Sequence, residues 1–224
     1  MTTFAKETVV CGACGHVFTH QALASTNAFG SPDLDTRPPE MQRSTMRAWI
    51  QRCPSCGFCA RDASKFDARF RVAMDTSCYR SQLTDARFPE LASTFICSGM
   101  LAEAVGQRED SGWCYLRAAW ILDDASKDEL AKLWRSKAAD AFLAFLTEGQ
   151  TSVQQPGAYE AIVTDCLRRA GRGDEAVSVI ERGLMQACEQ VIHKVLALQR
   201  KLIQRGDTAR HLLQEALEDE EPPA

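Results

Sequence analysis

Two short cysteine pairs, Cys11-Gly12-Ala13-Cys14-Gly15 and Cys53-Pro54-Ser55-Cys56-Gly57, restrict the folding of this chain more than any other feature. In each, two thiols sit three positions apart and are followed by glycine, the residue that turns most freely and lets backbone amides swing toward sulfur. Two such knuckles supply four soft ligands, enough to close a tetrahedral metal site. The spacing is C-x2-C-x38-C-x2-C, so the fold must bring together two segments well separated in sequence. Thr8-Val9-Val10 before the first pair and Val17-Phe18 after it are β-prone, which predicts strands around a tight glycine turn.

Four thiolates leave no open coordination position, which favours a structural metal over a catalytic one. Zinc is the expected ion, held by Cys11, Cys14, Cys53 and Cys56, and it would brace a head too small to build its own core. A rubredoxin-type iron is the alternative, because tetrahedral sulfur geometry alone does not separate the two metals. The long polar insert and mildly basic character of the segment favour zinc. His16 and His20 have an H-x3-H spacing suited to extra ligands, but a strand through Val17 and Phe18 would splay the imidazoles, so both are expected at the surface. Cys59 offers another C-x-x-C register with Cys56; the glycine after Cys56 favours the Cys53/Cys56 pair and leaves Cys59 in the core. Cys78, without a partner pattern, is also expected to be buried.

The other composition data bound the class. Hydrophobic residues are 45% and charged residues 25% of 224, the balance of an ordinary globular protein. No apolar run reaches the length that spans a membrane, and MTTFAKETVV does not read as a secretory leader. The ten cysteines therefore suggest a reducing, cytoplasmic setting rather than a disulfide framework. From residue 88 onward, Cys97, Cys114, Cys166 and Cys188 fall in helical patterns, where cysteine acts as a small hydrophobe. Residues 1–80 carry a net charge of +3 and residues 81–224 a net charge of −7, which supports a two-part chain.

The first part, residues 1–80, reads as a zinc-ribbon-like head containing a long loop over 25–42, with a strand expected at Arg47–Gln51. Helical periodicity begins near residue 88 and predicts helices at 89–107, 112–125, 127–146, 158–170, 174–187, 189–204 and 207–218. Residues 81–218 thus form a helical domain, and the acidic, proline-terminated stretch 219–224 is expected to be disordered. Arg172-Gly173-Asp174-Glu175-Ala176 recurs 33 positions later as Arg205-Gly206-Asp207-Thr208-Ala209. That offset is close to the tetratricopeptide period, although Thr164 stands where that family's helix-packing glycine would sit. The predicted class is mainly α: a small β-containing head followed by tetratricopeptide-like helical hairpins.

Asp33, Asp35 and Arg37, in the proline-bracketed part of the loop, form a candidate partner-binding loop; the competing role is hydrogen bonding within their own turn. Arg61, Lys65, Arg69 and Arg71, interleaved with Phe66 and Phe70, form a candidate phosphate-facing surface, though phenylalanines four apart equally suit the buried stripe of a helix. There is no G-x-S-x-G, P-loop, H-E-x-x-H or G-x-G-x-x-G, so no enzymatic activity is predicted. In order along the chain, CGACG, the Ser31-x-Asp33-x-Asp35-x-Arg37-Pro38 loop, CPSCG-Phe58 and the helical tail resemble a bacterial family of unknown function. That family joins a zinc-ribbon-like head to tetratricopeptide-like helices, and the resemblance implies architecture without a defined activity. A protein-interaction adaptor with a protein or peptide partner is the function expected. A nucleic-acid-binding regulator is the first alternative and an iron electron carrier the second; no membrane partner is expected.

Overall fold

A computed structural model describes residues 1–148 and 155–218. Strands β1 (Thr3–Val10) and β2 (Val17–Ser25) pair antiparallel with Val10 opposite Val17 and Val9 opposite Phe18, and Gly15 makes the connection at φ +75°. The β-prone residues flanking the first knuckle thus form the strands they predict. The segment 26–42 follows without regular strand or helix, as its turn-rich composition implies. Two-residue strands β3 (Gln51–Arg52) and β4 (Cys59–Ala60) pair antiparallel around the second knuckle.

The strand expected at Arg47–Gln51 is not formed, since Arg43–Ala48 is a 3₁₀ helix and only Gln51 joins a sheet. Local hydrogen bonds favour the tight turn: the Thr45 hydroxyl donates to the Gln42 carbonyl (2.7 Å), and Trp49 Nε1 donates to Thr45 Oγ1 (2.9 Å). Met46 and Ile50, four apart, are both buried, which is a helical rather than a strand spacing. Helices α1 (Phe70–Met74) and α2 (Ser77–Thr84) complete this region, the second capped by Thr76, whose side chain accepts from the Tyr79 N–H. Phe66 precedes α1 and so does not share a helix with Phe70; both rings instead pack around Phe58. Cys78 lies on the exposed face of α2, contrary to the expectation that it is buried.

The remaining helices are α3 (Glu90–Ala104), α4 (Arg108–Asp124), α5 (Asp128–Thr147), α6 (Ala158–Arg169), α7 (Gly173–Leu184), α8 (Gln190–Gln204) and α9 (Leu213–Glu218). The largest core is formed by Phe95, Ile96, Leu116, Trp120, Phe142 and their neighbours. Close helix approach depends on two glycines: a Cβ at Gly99 would meet Tyr115 at 2.5 Å, and one at Gly112 would meet Phe142 at 2.5 Å. Helix α3 serves two cores, since Cys97 and Leu101 pack with the head while Phe95 and Ile96 face the other helices. The notional boundary at residue 80 falls within α2.

The 33-residue repeat holds through its first helix, where Ile162, Val163, Val195 and Leu196 are all buried. It fails in the second helix of the second copy. Ala176 is buried whereas its counterpart Ala209 is exposed, and α9 begins only at Leu213 instead of Asp207. Asp207 Oδ1 accepts from the Ala209 N–H (2.7 Å) in a local turn, and the chain beyond it takes the long loop as partner. The stretch 219–224, expected to be disordered, lies outside the described residues.

That partnership fixes the loop. The Leu34 N–H donates to the His211 carbonyl (3.0 Å), the Leu213 N–H donates to the Pro32 carbonyl (2.8 Å), and Asp33 bridges to Leu212. Leu34 is buried with Ile180, Leu196 and Leu202. Asp35, wholly buried, accepts from Trp120 Nε1 (2.8 Å) and Arg169 Nη1 (3.3 Å) and lies 3.8 Å from Arg135. Arg135 and Arg169 both reach Asp123, Arg169 at 3.0 Å. Arg37 pairs with Asp124 (2.5 Å) and Asp33 with Arg43 (2.8 Å). Asp33, Asp35 and Arg37, the candidate partner-binding loop, are each at most 2% exposed, and their charged groups are engaged inside the molecule.

Removing one member of such a network leaves its partners buried and uncompensated. Asp35→Ala is expected to destabilise the protein by about 3–5 kcal/mol in urea unfolding, with Asp35→Asn less damaging because it keeps a hydrogen-bond acceptor. Burial alone would raise the Asp123 pKa, but Arg135 and Arg169 outweigh it and hold the carboxyl below its ordinary value. Its contribution is thus complete above the unfolded carboxylate pKa and disappears as pH falls through the depressed folded value, a loss that pH-dependent melting would detect.

Candidate metal centre

The two knuckles adopt the same backbone form. In the first, Gly15 N–H donates to the Cys11 carbonyl (2.7 Å) and Cys11 N–H to the His16 carbonyl (2.9 Å). In the second, Gly57 N–H donates to the Cys53 carbonyl (2.9 Å) and Cys53 N–H to the Phe58 carbonyl (2.9 Å). Gly15 and Gly57 have φ of +75° and +76°, which explains why each pair is followed by glycine. Each motif thus folds from local sequence, and the fold then sets them face to face.

The Sγ atoms of Cys11, Cys14, Cys53 and Cys56 all lie within 4.8 Å of one another, a group that could hold a metal ion. Cys11 and Cys56 sulfurs are 3.7 Å apart, as are those of Cys14 and Cys53. A tetrahedron with metal–sulfur bonds of about 2.3 Å has sulfur–sulfur edges of roughly 3.8 Å, so the arrangement fits such an ion. Cys11 and Cys53 are buried, Cys56 is half-buried and Cys14 is exposed. Burial pushes the Cys11 and Cys56 thiols up, while a backbone hydrogen bond from His16 leads the interactions that lower Cys14 to about 7.

The support beneath this group comes from 58–83. Tyr79 Oη donates to the Gly57 carbonyl (2.8 Å), and Arg71 donates to the Ala13 carbonyl (2.8 Å). Gly12 N–H donates to the Ala63 carbonyl (2.9 Å), while the Ala63 N–H donates to Gln51 Oε1 (2.8 Å). A Cβ at Gly12 would meet the Ser64 carbonyl at 2.5 Å, so the first knuckle needs glycine for close approach as well as for turning. Phe58, Phe66 and Phe70 form an aromatic floor, with Phe58 wholly buried.

The other candidate residues lie outside the cluster. His16 is exposed, and His20 Nε2 lies 3.5 Å from the Ala48 carbonyl. Cys59 is buried, with its Sγ against the Gly57 carbonyl (3.3 Å) and its thiol pushed up by burial and by Cys97. In the basic stretch, Arg69 is paired with Asp67 (2.6 Å) and Lys65 with Asp62 (3.3 Å), while Arg71 stacks on Phe66. Cys188, expected in a helix as a small hydrophobe, lies instead between α7 and α8 with its Sγ 3.5 Å from His193 Nε2, a pairing the sequence reading did not draw. The Cys188 sulfur also contacts the Gly183 and Gln186 carbonyls.

Compared with known protein families, curated proteins and solved structures, the chain matches none. The likeness to a family with a cysteine head and helical tail therefore rests on the residues themselves.

Cys53→Ser should abolish stoichiometric metal in elemental analysis and lower the melting temperature by at least about 6 °C, the shift that roughly 3 kcal/mol produces in a chain of this size. Unchanged metal content or an unchanged melting temperature would remove the structural role of this centre.

Proposed function

We propose that the protein is a zinc-binding interaction adaptor, in which Cys11, Cys14, Cys53 and Cys56 hold the ion and a protein or peptide partner binds the surface that the metal keeps in shape. Zinc would supply a cross-link between the two knuckles and no reaction chemistry, because four thiolates complete its coordination. Tetratricopeptide-like hairpins in the helical part would extend the surface, as stacked helical pairs commonly do.

The observation that carries the interaction reading is an apolar pair beside the first knuckle. Val10 and Val17 face each other across the hairpin and are 54% and 57% exposed. Directly opposed strand residues act as one contact unit, so the two valines form a joint apolar spot rather than scattered exposure. The nucleic-acid alternative has weaker support, since two of its four basic residues, Lys65 and Arg69, already pair with adjacent aspartates.

Photo-crosslinkers placed at Val10 or Val17 in the full chain should capture a reproducible protein species in native lysate. Val10→Asp with Val17→Asp should reduce its recovery by about tenfold, the effect of roughly 1.4 kcal/mol, while leaving the metal content unchanged. Recovery that is indifferent to both substitutions would defeat this reading.

A further inference from the structure

The groove between the head and α4 is lined by Glu7, His20, Trp49, Gln51, Arg61 and Arg117 and has a volume of about 470 Å³. That is within the range of small-molecule sites. Its two arginines differ from the others near the helical core. Arg37, Arg135, Arg168, Arg169 and Arg172 all form ion pairs within 4 Å. Among the described residues, neither Arg61 nor Arg117 has a carboxylate within that distance.

Arg117 is held in place without being neutralised. Its guanidinium carbon lies 5.8 Å from the centre of the Trp49 ring and 5.7 Å from that of Trp113. Its Nε is buried and lacks a hydrogen-bond partner. Burial and the positive charge of nearby Arg61 pull its pKa below the ordinary arginine value, opposed by Cys114 and Asp110. Glu7 at the groove wall and Asp110 beside the two cations are the neighbouring acids, and neither makes an ion pair with them. The aromatic rings thus hold Arg117 in the same groove as Arg61, close enough for the two charges to oppose each other, an arrangement that an anion would relieve.

We propose that this groove binds a small phosphate-bearing molecule with a planar ring, of the nucleotide class, its phosphate held between Arg61 and Arg117 and its ring against Trp49. Guanidinium groups match phosphate oxygens with paired hydrogen bonds, and two of them suit a dianion. Trp49 Nε1 is taken by Thr45, so the indole offers its apolar ring to the ligand. Gln51 Oε1 accepts from Ala63 N–H, which leaves the Gln51 amide nitrogen to donate. The site does not rest on the adaptor reading and uses none of its valines.

Isothermal titration of the full zinc-loaded chain with inorganic phosphate and with AMP tests the assignment. Both should bind saturably, AMP more tightly and with a change in tryptophan fluorescence. Arg61→Gln, at an exposed position, should weaken both by about tenfold or more, as loss of a charged hydrogen bond implies. Arg117→Gln should do the same, and Arg69→Gln should leave binding unchanged. Circular dichroism melts of each variant separate lost binding from lost folding. Absence of saturable binding to the native chain, binding that Arg61→Gln leaves intact, or AMP binding no tighter than phosphate would overturn the proposal.

Discussion

The segment joining the two knuckles is constrained at both ends and in its middle, and the relation between head and helices depends on this. Its ends carry Cys14 and Cys53, whose sulfurs come within 3.7 Å. Its middle carries Asp35, which is buried against Trp120, Arg135 and Arg169. A loop of this length would otherwise lose considerable freedom on closing. The cysteine cluster at its ends and an ion network at its centre share that cost. The head is thereby attached to the helical part through side chains from α4, α5 and α6 as well as through chain continuity.

The ionic centre is selective about geometry. An isolated buried carboxylate would be strongly disfavoured, and so would two buried guanidiniums. Together, Asp35 and Asp123 face Arg135 and Arg169, and Trp120 contributes a neutral donor. Such clusters add less net stability than well-packed apolar side chains, but they penalise misplacement heavily. Leu34 supplies the apolar complement one residue earlier, within the α6–α9 cluster. One face of the loop is therefore positioned by oil and the other by charge.

What could be read from the sequence was what is encoded locally. The knuckles repeat the same C-x-x-C-G code, and each makes its own turn. Helices α3 to α8 follow from apolar periodicity, because their buried faces recur at short intervals. The burial of Asp33, Asp35 and Arg37 was not legible because the groups that bury Asp35 lie 85 to 134 residues away. Local turn chemistry gives no sign of such partners. The same holds for Arg61 and Arg117, which only the tertiary fold places in one groove. The 3₁₀ helix was missed because a short apolar stretch suits either period. The last repeat was extended too far because sequence alignment cannot register that residues 211–213 are used to pair with the loop.

The bridge between Asp33 and Leu212 has a consequence for the order in which the molecule can be built. Ribosomal synthesis delivers the loop early and its strand-like partner nearly two hundred residues later. Until α6 to α8 have gathered, Leu34 has no apolar seat and Asp35 lacks its full set of cations. The knuckles, by contrast, have their supporting contacts as soon as the segment 58–83 has emerged. The nascent chain therefore assembles its cysteine cluster first and carries an undocked loop until residues 211–213 have emerged. Long-range closure of this kind is the slow step expected of contacts between distant segments.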